Sequence, residues 1–154
     1  MSAVPKILLV PVDGSKGANK AAALAARMAE KLDVPLRLIC AFPRDAFEAF
    51  GVPGSSNPGD YKYFSPGAFE ELREQTTGKA FKSAREAMGE VGVSVEEEVI
   101  PGEPAPAILE YAGKLDGPMI VMGSRGLNRF SEVLIGSVSQ RVLHHAECPV
   151  LVAR

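Results

Sequence analysis

No run of apolar residues in this chain approaches the ~18–20 positions that a helical membrane span needs, so a membrane protein of that kind is not expected. Charge of one sign is also scarce. Seventeen Lys and Arg against 19 Asp and Glu leave a formal charge of −2, which offers no basic field to a polyanion, and a nucleic-acid partner is not expected. A single nucleotide is not excluded, because local backbone donors suffice to hold one. There are two cysteines, Cys40 and Cys148, each in or beside an apolar segment and far apart in the chain. That is no disulfide framework, and it points to a reducing compartment. The N-terminus lacks a charged region and an A-x-A-like cleavage site and reads as a strand, so the cytoplasm is the expected location.

Histidine is equally sparse. His144 and His145 are adjacent, and on a helix they project about 100° apart, unlike an i, i+4 metal pair. Near a helix C-terminus they complement the dipole. No general base stands near a nucleophile, so a hydrolytic triad is not expected. G-x-x-x-x-G-K-[ST] is absent, and no G-x-G-x-x-G follows the first apolar run.

What is present is an alternation. Five apolar, β-branched runs lie at 7–12, 36–42, 93–100, 119–123 and 150–153. The first, second and fourth are nearly continuous, as strands buried on both faces are, whereas the third carries "EEE" and suits an edge. Helical patterns fill the gaps at 17–32, 68–91, 104–115 and 137–146. This predicts one α/β domain over 1–154 with a five-stranded parallel sheet flanked by helices. Residues 43–67 contain Pro43, Pro53, Pro58 and Pro66 and resist regular structure. Seven of the ten aromatics fall within 42–69, so the stretch reads as a flap or oligomer contact, or else as a surface insertion with its own small cluster.

With strands ordered 3-2-1-4-5, the loops after the first and fourth strands flank the crevice where ligands bind in such sheets. Those loops are "VDGS" (12–15) and "GSRG" (123–126). Gly123 and Gly126 suit a nest of backbone N–H groups. Gly136 and Ser137 start a helix whose free N–H groups attract an anion. Ser124 and Ser137 add hydroxyl donors and Arg125 adds charge. The same glycines also suit plain turns and caps. Asp13 suits a ribose hydroxyl pair or a magnesium ion, and equally an Asx-turn or the N-cap of the first helix, a role open to Ser15 as well.

The stretches "ILLVPVDGS", "GEPAPAILEYA" and "GSRGLNRFSEVLIGSVSQRVLHHAECPVLVAR" resemble the universal stress protein family along essentially the whole chain. The pattern G-x2-G-x9-G-[ST] of its nucleotide-binding subgroup is complete at Gly123, Gly126, Gly136 and Ser137. The resemblance implies a Rossmann-like fold of the adenine-nucleotide alpha-hydrolase type, with ATP between the loops after strands one and four. It implies Asp13 on the ribose and backbone near Pro11, Val12 and Ala41 around the adenine. It further implies Met122, Gly123, Ser124 and Gly126 along the loop side, and Gly136, Ser137 and Val138 on the phosphates, with Mg²⁺. It also implies a homodimer through the last strand, 149–153, and a stress-response role with at most slow ATP hydrolysis. The second strand ends "ICAFPRD" without the more usual His-Val, and Glu147 stands where a proline is frequent; neither removes a phosphate contact. The rival readings are an interaction module of the same fold without a nucleotide, and an ATP-pyrophosphate-cleaving enzyme or nucleotidyltransferase. Against the enzyme, H-x-G-H and S-G-G-x-D-S are both missing.

Overall fold

The apolar run that opens the chain forms the middle of a parallel sheet. In a computed structural model describing residues 4–52, 57–124 and 135–154, β1 (Ile7–Pro11) lies between β2 (Leu36–Phe42) and β4 (Pro118–Gly123). Strands β3 (Val95–Pro101) and β5 (Val150–Ala153) form the edges, in the order β3-β2-β1-β4-β5. All pairings are parallel, and the order is the expected one. The helices are α1 (Lys16–Leu32), α2 (Ala46–Phe50), α3 (Pro66–Met88), α4 (Pro104–Gly113) and α5 (Ser137–His145).

Successive strand residues point to opposite faces, and this divides the core in two. Leu8, Val10, Leu36, Leu38 and Cys40 pack against α1 and α3. Leu9, Ile39, Ile100, Ile120 and Met122 pack against α4 and α5. Among the described residues no helix is long and apolar enough to cross a membrane.

Helix α1 starts at Ser15, whose Oγ accepts the Ala18 N–H at 3.2 Å, which satisfies one orphan donor of the first turn. Its buried face is all alanine: Ala18, Ala21, Ala22, Ala25, Ala26 and Ala29. Such small side chains let the helix lie close against the sheet. The approach is close at the end of β4, where a Cβ built on Gly123 would sit 2.5 Å from the carbonyl carbon of Gly17.

Two expectations need correction. The third strand begins at Val95, not 93; it is an edge strand as expected, and its acidic run is laced by side-chain contacts. Arg37 pairs with Glu96 at 2.9 Å, Arg85 pairs with Glu97, and the Tyr111 hydroxyl donates to Glu98. The stretch 43–67 is not irregular throughout: it contains α2 and a 3-10 helix, Pro58–Phe64. Here proline opens helices instead of breaking them. Pro58 and Pro66 both occupy first-turn positions, where the missing N–H costs nothing. Aromatic pairing holds the two short helices together, with Phe47 and Phe64 edge-on at 5.2 Å and Phe50 stacked on Tyr63 at 5.3 Å. Helix α3 therefore starts at Pro66 rather than 68. It stops before Gly89, whose φ of +66° disfavours any residue with a Cβ.

Candidate functional site

The order of strands reverses between β1 and β4, and the loops leaving these two strands part at their carboxyl ends. A cleft of about 310 Å³ opens there, within the range that small-molecule sites occupy. From the first loop come Pro11, Val12, Asp13 and Ser15, and from the end of β2 comes Ala41. Met122 and Gly123 close it on the β4 side, with Gly136, Ser137 and Val138 from the start of α5. Ser124 stands just outside the lining, tied by its N–H to Ala153 O at 2.9 Å and by its carbonyl to the Gly136 N–H at 2.5 Å. Arg125 and Gly126 lie outside the described residues.

Residues that sequence reasoning missed also line the cleft: Ser15, Ala18, Pro104, Ile108 and Ser139. Pro104 and Ile108 enter because α4 follows β3 and starts at the same edge of the sheet; the rule that loops at carboxyl ends build sites points to them. Ser139 carries a signal in the sequence too. It lies three residues before Val142, on the buried side of α5, where a hydroxyl needs a partner.

The walls are mostly apolar, and among the described lining residues Asp13 bears the one charge. Its carboxylate is exposed, and Oδ1 accepts the N–H of Ser15 at 2.9 Å. The Asx-turn reading of Asp13 is therefore realised, and Ser15, not Asp13, caps α1. The second carboxylate oxygen is not used by that turn. The next residue, Gly14, has φ of +85°, a backbone state that lets the chain turn sharply into α1. Behind Asp13, burial and secondarily the negative charge of Asp13 push the Cys40 thiol up to about 11. It stays protonated at neutral pH and is a core residue rather than a nucleophile.

Gly123 and Gly136 differ in what fixes them. Gly123 is demanded by the backbone of Gly17, as described above. Gly136 precedes α5 with φ of −68°, a conformation open to any residue, so backbone geometry does not explain glycine there. Helix α5 has no side-chain cap on its first turn. His144 and His145 occupy the last turn of α5, and neither lines the cleft. Among the described residues no cluster of three or more His, Cys, Asp or Glu could hold a metal.

A five-stranded parallel sheet wound in both directions from β1, with a ligand-sized cleft at its topological switch point, defines a Rossmann-like α/β fold. The sequence pattern of the universal stress protein family matches residues 5–154, and the chain belongs to that family. A universal stress protein of Thermus aquaticus is 35% identical over 150 residues, covering 97% of this chain and 98% of its own. The fold matches the crystal structure of a universal stress protein in complex with cAMP, with a TM-score of 0.62, 23% identity and coverage of 99% and 98%. It also matches the universal stress protein from Archaeoglobus fulgidus in complex with dAMP, with a TM-score of 0.59, 23% identity and full coverage of both chains, 100% each.

Proposed function

We propose that this protein is an ATP-binding regulator of the stress response. It works as a single domain and as a homodimer, and hydrolysis is at most slow. The observation that carries this reading is the convergence of unlike groups on one cleft. An exposed carboxylate at Asp13, an apolar floor of Pro11, Val12, Ala41, Ile108 and Met122, and the uncapped start of α5 all line it. These suit a sugar, a planar base and a phosphate chain in turn. The relatives of like fold in complex with cAMP and dAMP support an adenine nucleotide as the ligand class. Gly136 supports it as well, since a bare Cα on the wall leaves room for phosphate.

For magnesium the residues fit only a modest role. Asp13 is the single candidate ligand among the described lining residues, so the ion would be held mainly by the triphosphate oxygens and water, as Mg²⁺ commonly is. Asp13 is the one carboxylate of the described lining and is assigned here to the sugar, and no imidazole or amine stands beside it to take a proton from water, which favours binding over rapid turnover.

Nucleotide released from the purified protein by heat, or a calorimetric isotherm for ATP with Mg²⁺, is the expected result. Absence of both overturns the reading. One observation favours the rival interaction module: packing alone accounts for Gly123, the first glycine of the motif.

Dimerisation is expected at the β5 edge. Pro149 O accepts from Ile120 of β4 and Ala153 O from Ser124 just past its end, so the backbone groups of Val150 and Val152 face the open side. Val152→Pro removes one outward donor and leaves the ladder to β4 intact. Light scattering should then report folded monomers; a folded dimer would move the contact elsewhere.

A further inference from the structure

Three buried polar residues stand out among the described residues: Ser15, Thr77 and Ser139. Ser15 caps its own helix and Thr77 donates to Arg73 O within its own helix. Ser139 alone reaches a different element. It is 3% exposed, and its Oγ donates to Gly123 O at 2.6 Å, sixteen residues back in the chain.

This bond matters because of what fixes its other end. Gly123 is wedged against the backbone of Gly17 in the first turn of α1, so its carbonyl sits at a rigid place in the sheet. A second bond, Gly136 N–H to Ser124 O at 2.5 Å, lies beside the first. Together they staple the start of α5 to the end of β4. A helical serine ordinarily bonds a carbonyl one turn behind it; this one is diverted to the strand. Gly123, Gly136, Ser137, Val138 and Ser139 all line the cleft, so the staple sets where the first turn of α5 stands relative to Asp13.

We propose that Ser139 is a positioning residue, whose bond to the Gly123 carbonyl aims the first-turn N–H groups of α5 at the phosphates of a bound nucleotide. This rests on the reading of the cleft as a nucleotide site. A positioning role on the phosphate side makes a graded demand. Loss of the hydroxyl should weaken ligands according to how many phosphates they carry, whereas general loosening of the fold weakens all alike.

The test is calorimetry of adenosine, AMP, ADP and ATP with Mg²⁺ on the native protein, Ser139→Ala and Ser139→Thr. Ser139→Ala should bind ATP about tenfold more weakly, the effect of one lost buried hydrogen bond, AMP less so, and adenosine unchanged. Ser139→Thr keeps the hydroxyl and should restore ATP affinity. Should Ser139→Ala not fold, Ser139→Cys, whose thiol is a weaker donor, serves the same comparison. Equal weakening across the four ligands, no weakening, or failure of the threonine to rescue overturns the proposal. Native protein that binds none of the four overturns the nucleotide reading itself, and the positioning role with it.

Discussion

Gly123→Ala should lower stability by about 3 kcal/mol, at the upper end of ordinary overpacking, with the melting temperature falling by roughly 6–12 °C. The new Cβ would lie 2.5 Å from Gly17 C and 2.6 Å from Gly17 O. Neither is the tip of a flexible side chain. Both belong to the first turn of α1, which is anchored by the Ser15 cap and by alanines packed flat on the sheet. The helix cannot retreat without opening its contact with Leu8 and Val10. Urea melts of the ligand-free protein give the measurement. An unchanged midpoint would mean that the glycine serves the ligand alone and that the close approach to α1 can relax. The expected result assigns the first motif glycine to packing, a role separate from any contact with phosphate.

Asp13→Ala and Asp13→Asn should separate two duties of one carboxylate. Oδ1 holds the turn by accepting the Ser15 N–H, and on the proposed reading the charge also grips a ribose. Asparagine keeps a carbonyl oxygen in the Oδ1 place, so the turn survives and stability should hold. The nucleotide contact drops from a charge-assisted bond to a neutral one, about half as strong, and affinity should fall about tenfold. Alanine removes both. It should cost about 1 kcal/mol of stability and weaken binding by a further several-fold. Calorimetry with ATP and thermal melts on the same preparations provide the check. Full affinity in Asp13→Ala would confine the carboxylate to the turn.

Much of the fold was legible in the sequence because burial on both faces leaves a plain mark. The runs at 7–12, 36–42 and 119–123 are apolar nearly throughout, and they are the three inner strands. The edge strand announced itself through Glu96, Glu97 and Glu98. Within 43–67 a small aromatic cluster was among the readings, and what was misread was the absence of helices. Prolines there open helices, and a proline at a first turn looks the same in sequence as one that forbids a helix. The stacking of Phe50 on Tyr63 that stabilises the pair joins residues thirteen apart, beyond any local periodicity.

The candidate site was legible in part. Loops 12–15 and 123–126 could be brought together from strand order alone. Pro104 and Ile108 were legible only in outline: the carboxyl-end rule points to the start of α4, but how far that helix leans over the crevice is set by packing.

The sequence by itself determined the class of the protein: strand and helix alternation, and a glycine pattern placed where a strand ends and a helix begins. These follow from burial and backbone freedom, which act on each residue where it stands. Only the tertiary structure decided why particular glycines and serines are there. Gly123 answers to Gly17 and Ser139 answers to Gly123, and such contacts exist only once distant elements pack within a few ångströms of one another.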